Sequence, residues 1–176
     1  MSTELVIYES KDDIAIITLN RPEKLNALNV DLGEALRAAW QRFEAGSDRV
    51  AILASATPRA FTVGADLTHP PEIWRFTPSV GVDVTKPIIA AVDGYCVGGG
   101  VVLVNFCDLC VVADTAVFSY PEAKVGVTGG LITSLAARIP HKIAMEFMLF
   151  VEDISAQRAY EVGMVNKVVP PDQLMD

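Results

Sequence analysis

Pro87-Ile88-Ile89-Ala90-Ala91-Val92-Asp93-Gly94-Tyr95-Cys96-Val97-Gly98-Gly99-Gly100-Val101-Val102-Leu103-Val104-Asn105-Phe106-Cys107-Asp108-Leu109-Cys110-Val111-Val112-Ala113 is the most apolar window of the chain. Asp93, Asn105 and Asp108 interrupt it, so it falls short of the roughly 18 uninterrupted apolar residues of a membrane-spanning helix. The window reads instead as buried strand, helix, strand. A β-branched run ends at Val92, a helix extends from Gly99 to Phe106, and a second strand covers Leu109 to Ala113. That helix is apolar nearly all round, which places it in the interior.

Three glycines entering an apolar helix present backbone N–H groups at a positively polarised end, where developing negative charge can be held. Nucleotide motifs fit the spacing poorly. Gly94, Gly98, Gly99 and Gly100 do not follow GxGxxG. Gly94 and Gly99 have the spacing of a phosphate loop, but Gly100 and Val101 stand where its Lys and Ser/Thr belong. Glycines also permit a helix to pack closely on a sheet, and the cluster by itself leaves that explanation even with an oxyanion site.

Downstream, Ala116 to Phe118 forms another short strand before Tyr120-Pro121-Glu122 and the glycine-rich Val125 to Gly130. A carboxyl desolvated in such apolar surroundings titrates nearer neutrality. A carboxyl beside backbone donors is also what enolate chemistry requires. Glu122 is therefore the candidate acid or base. Asp93 and Asp108 abut strand ends and are assigned to turn and buried-partner roles.

Working outward, Leu5–Tyr8 and Ile14–Leu19 flank a polar tetrapeptide and predict a hairpin. Leu32, Ala35, Leu36, Ala39, Trp40 and Phe43 fall at helical spacing, with Asn29 or Asp31 as N-cap and Gly46 as the stop. Val50–Ala54 predicts a strand. The prolines among residues 70–78 preclude a long helix there. Helical patterning resumes from Gly130 through Ile139 and from Lys142 to Phe150. Ser155 caps a short helix ending at Gly163, and Val165–Val169 closes the pattern as a strand. The expected fold class is α/β, one domain of stacked strand-strand-helix turns.

The chain has 176 residues, 51% of them hydrophobic and 20% charged, with a formal net charge of −8. That length suffices for one substantial core. The acidic balance and the lack of a basic run argue against a nucleic-acid partner. Residues 1–10 lack the blocks of a signal peptide, making the cytoplasm the expected compartment. Cys96, Cys107 and Cys110 are odd in number and sit in apolar segments, so they read as reduced core thiols. The Cys107–Cys110 CxxC has no second pair and remote histidines, so no metal site is expected.

Four blocks together carry a resemblance: Asn20-Arg21-Pro22-Glu23-Lys24-Leu25-Asn26-Ala27-Leu28, Ala60-Phe61-Thr62-Val63-Gly64-Ala65-Asp66-Leu67, Lys86 through Gly100, and Glu161 through Pro170. In this order they resemble the crotonase (enoyl-CoA hydratase/isomerase) superfamily over nearly the whole chain. The resemblance implies a superhelix of strand-strand-helix turns and acyl-CoA thioester substrates, with coenzyme A as part of the substrate and no tightly bound cofactor. It further implies an enolate held by the N–H groups of Ala65 and Gly99, with Glu122 as proton shuttle. Lys24, Leu25, Ala27, Asp66, Leu67, Gly98, Val102 and Thr128 are carried over as substrate or coenzyme A contacts, and Trp74 and Phe76 as acyl-pocket residues. Hydratases of the family carry a second glutamate where this chain has Val102. The single carboxylate leaves isomerisation, hydration, hydratase-lyase chemistry and a non-catalytic acyl-CoA-binding role as alternatives. The resemblance also implies a homo-oligomer, trimer or hexamer, and a single domain over residues 1–176 without the family's usual C-terminal helical segment.

Overall fold

In the computed structural model, residues 4–127 and 129–176 are described. Strands β1 (Val6–Lys11) and β2 (Ile14–Leu19) form the expected antiparallel hairpin. Helix α1 (Val30–Ala45) begins where Asn29 accepts the Leu32 N–H on its side-chain oxygen at 3.0 Å. Its buried face of Leu32, Leu36, Ala39, Trp40 and Phe43 follows the helical repeat read from the sequence.

The rest of the chain repeats a strand, a second strand and a helical segment. The first turn is β3 (Val50–Ser55), β4 (Ala60–Thr62) and a 3-10 turn at Ile73–Phe76. The second is β5 (Ile88–Val92), β6 (Tyr95–Val97) and α2 (Gly99–Asn105). The third is β7 (Leu109–Ala113), β8 (Val117–Ser119) and the 3-10 segments Pro121–Val125 and Gly130–Ala137, followed by α3 (His141–Phe150). Finally come β9 (Ile154–Ser155), α4 (Ala156–Glu161), capped by Ser155 as expected, and β10 (Lys167–Val169).

First strands of the turns build one six-stranded sheet, in the order β1-β2-β3-β5-β7-β10, parallel beyond the hairpin. Second strands build another, β4-β6-β8-β9, in which β4, β6 and β8 run parallel. α2 is buried at every residue, as its sequence requires.

Two expectations are corrected. Gly130–Ala137 is 3-10 rather than α-helical. The hydroxyls of Thr133 and Ser134 donate to the carbonyls of Gly130 and Leu131, three residues back, competing with regular helix bonding. The closing strand is also shorter than Val165–Val169, because the Asn166 side chain leaves the pattern to accept the Cys110 N–H at 2.8 Å. Among the described residues no helix is long and apolar enough to cross a membrane.

Candidate active site

Parallel neighbours in a sheet end on the same side, so the turns after β4, β6 and β8 must lie next to one another. These turns are Val63-Gly64-Ala65, Gly98-Gly99 and Tyr120-Pro121-Glu122. The Gly64 turn (φ +86) passes so close to β6 that a Cβ there would stand 3.0 Å from Val97 O and 3.7 Å from Gly98 Cα. Gly98 (φ +54) donates its N–H to Ser119 O at 2.9 Å, tying it to the end of β8. A Cβ on Gly98 would lie 2.6 Å from Glu122 Oε1. Only a residue without a side chain lets that carboxyl approach.

Ala65 sits between two backbone bonds to Leu28. Leu28 N–H donates to Gly64 O at 2.8 Å, and Asp66 N–H donates to Leu28 O at 2.7 Å. In a trans peptide the carbonyl and the N–H point opposite ways. Since Gly64 O faces Leu28, the Ala65 N–H is aimed away from the Leu28 backbone. Among the described residues neither the Ala65 N–H nor the Gly99 N–H donates a hydrogen bond. The space beside Gly99 is apolar, with Ile73 Cδ1 and Leu28 Cδ1 within 3.0 Å of where a Cβ would be.

Glu122 has one oxygen, Oε2, that is buried without a hydrogen-bond partner among the described residues. Burial pushes its carboxyl above the usual glutamate range, partly offset by a backbone hydrogen bond. A carboxyl so placed exchanges a proton more readily near neutrality than a solvated one.

The remaining sequence-derived residues divide. Lys24 is exposed, and Leu25 and Ala27 are half-buried on a loop held to the site by the Val63 N–H bond to Leu25 O at 3.1 Å. Leu67 is 87% exposed. Val102 is buried in the core one helical turn beyond Gly98, whose carbonyl accepts its N–H. Thr128 lies outside the described residues. The acyl-pocket expectation for Phe76 is corrected: Phe76 is 2% exposed and fills the space above Gly33, where any Cβ would meet its ring at 2.6 Å. Trp74 is half-exposed, and Ile73 rather than either aromatic reaches Gly99.

Sequence reasoning did not single out four residues here: Arg21, Asn26, Leu28 and Ile73. Asn26 is completely buried; its Oδ1 accepts the Arg21 N–H, and its Nδ2 donates to Ser55 Oγ and Phe61 O. Nothing in the sequence around Asn26 shows that burial, which the packing of its loop against Ser55 and Phe61 creates. Asp93 accepts from Thr115 Oγ1 and Asp108 from the Ile88 N–H, so both tie strand ends as anticipated, but Asp93 is half-buried and Asp108 exposed, which corrects the buried part of that expectation. All three cysteines are free, and burial pushes each thiol up. Among the described residues no cluster of metal-ligating side chains occurs.

A family model described as enoyl-CoA hydratase/isomerase matches residues 9–73 and 79–176. The chain belongs to the enoyl-CoA hydratase/isomerase family. It is an enzyme of that type, and its architecture is the crotonase fold. A probable enoyl-CoA hydratase of Mycobacterium leprae is 36% identical over 99% of this chain and 72% of its own length. A short-chain-enoyl-CoA hydratase of Clostridium acetobutylicum is 33% identical over 100% of the chain and 73% of its own length. Among solved structures, a probable enoyl-CoA hydratase/isomerase from Mycobacterium abscessus superposes with a TM-score of 0.90. It is 35% identical, and the match covers 99% of this chain and 72% of that one.

Proposed function

We propose that the enzyme moves the double bond of an enoyl-CoA through a thioester enolate, with Glu122 as sole proton shuttle. The observation that carries this is one buried, partnerless carboxylate oxygen on a side chain packed against Gly98, with unengaged backbone N–H groups at the next residue, Gly99, and at Ala65 on the neighbouring turn. In a 3-enoyl thioester, the Glu122 carboxylate takes a proton from C2. Electron density moves onto the thioester oxygen, which the Ala65 and Gly99 N–H groups stabilise. Glu122 then returns the proton at C4, leaving a 2-enoyl thioester and a regenerated carboxylate. No water is consumed, and one carboxylate suffices for the cycle. The loop at Lys24–Ala27 and the backbone at Ala65–Leu67 hold the coenzyme A portion, which enters as part of the substrate.

Mass analysis of products from 2-enoyl and 3-enoyl CoA esters tests this reading. The expected product has unchanged mass and a relocated double bond. A gain of one water as the main outcome would replace isomerisation with hydration.

Val102 supplies a sharper check, since it stands where hydratases resembling this chain carry a second glutamate. Val102→Glu is expected to raise the ratio of hydrated to isomerised product, because a second carboxylate can hold and activate water. It is also expected to lower Tm, because the site is buried and provides no partner for a charge. A folded variant with the wild-type product ratio would show that this position does not decide the chemistry.

A further inference from the structure

The Ala65 N–H can stabilise charge only if its peptide plane is held. The Leu28–Ala65 bridge does this from one side, and the further cross-links, Val63 N–H to Leu25 O at 3.1 Å and Thr62 Oγ1 to Asn26 O at 2.6 Å, both precede Gly64. A half-buried ion pair lies across the same two loops. Arg21 Nη1 is 2.9 Å from both Asp66 Oδ2 and Ala27 O, and the two charged side chains are 14% and 16% exposed. Arg21 is itself anchored, since its N–H donates to Asn26 Oδ1 and its O accepts the Asn26 N–H. Asp66 follows Ala65 directly. Its other oxygen, Oδ1, accepts from the Thr68 N–H at 3.1 Å and Thr68 Oγ1 at 2.6 Å. Both carboxylate oxygens are thus engaged within the chain, which argues against a direct contact from this side chain to substrate.

We propose that Arg21 and Asp66 are positioning residues that clamp the loop at residues 21–28 to the turn at residues 63–67 and so fix the direction of the Ala65 N–H. The proposal rests on the enolate reading, in which that N–H meets the thioester oxygen. Losing the clamp would let the Gly64–Ala65 peptide rotate, and small misplacements of a catalytic donor cost large factors in rate. The Thr68 and Arg21 contacts hold the Asp66 carboxyl well below the usual range, so the pair stays ionised wherever the enzyme is assayed.

A coenzyme A thioester of a conjugated aryl-acrylic acid reports carbonyl polarisation through the red shift of its absorption on binding. With wild type the shift is expected. Asp66→Ala and the shape-preserving Asp66→Asn should lose most of it, with kcat lowered about 10- to 100-fold and KM little changed. Arg21→Lys should keep part of the shift, because an ammonium keeps the charge but not the fixed planar geometry in which Nη1 meets both Asp66 Oδ2 and Ala27 O. If Asp66→Ala does not fold, Asp66→Asn carries the test. A full red shift and wild-type kcat in the folded variants would overturn the clamp while leaving the enolate reading intact; a raised KM alone would make Asp66 a ligand contact. Absence of the shift in wild type with bound thioester would overturn the oxyanion reading itself, and the clamp's role with it.

Discussion

Glu122→Gln is expected to lower turnover of an enoyl-CoA by about 10²- to 10⁴-fold, with affinity for the coenzyme A ester nearly unchanged. Gln keeps the shape of the side chain at Gly98 but cannot take a proton from carbon. The wild-type rate should also carry the signature of this carboxyl. Because burial pushes it up, the acid limb of kcat/KM should turn above the ordinary glutamate range, and it should disappear from the residual activity of the variant. Stability should move the other way. Protonated Glu122 fits the folded site better than the charged form, so its contribution is complete below the unfolded value and is lost as pH rises through the raised folded value. Gln is spared that loss. The variant should therefore gain Tm relative to wild type as pH rises above the ordinary glutamate value and through the raised folded one. Near-wild-type turnover would remove Glu122 from the mechanism, and a pH-independent Tm difference would contradict the buried carboxylate.

Gly98→Ala should cost about 10²-fold in rate, the loss expected when a reacting group is displaced by about 1 Å. A Cβ here would stand 2.6 Å from Glu122 Oε1. The carboxyl is the free end of a flexible side chain, so it can swing aside, and the variant should fold. Swinging aside is the damage: the base leaves the neighbourhood of the Gly99 N–H. The backbone at Gly98 (φ 54, ψ −111) lies outside the left-handed α region and adds strain on the order of 1–3 kcal/mol for alanine, which unfolding in urea should register as a loss of stability. Unchanged activity in a folded variant would place the reacting carboxylate away from Gly98.

These two residues were legible in the sequence for different reasons. Gly98 belongs to a run whose glycine content ordinary helix formation does not require, and Glu122 is a carboxyl in a strand-turn setting with apolar neighbours. Helix α1 and its Asn29 cap, the Ser155 cap and the strands of the larger sheet were equally readable, because each is long enough to show a period or carries a cap. Phe76 was misread because nothing in its own segment reveals the hole above Gly33 that it fills. Asp66 presented itself as a ligand contact, and only the fold shows both its oxygens engaged by Arg21 and Thr68.

The sequence by itself determined the strand-strand-helix repeat and the buried character of α2, and its resemblance to the family nominated Glu122, Ala65 and Gly99 as the candidate site. Their meeting was decided by the tertiary structure. β4, β6 and β8 are three residues each; β4 and β6 are too short to display the alternation that identifies a strand, and β8 was read one residue early. Their pairing is parallel and therefore connects residues far apart in the chain. That pairing brings the ends of three separate turns to one edge, where Ala65, Gly99 and Glu122 gather because neighbouring parallel strands finish side by side.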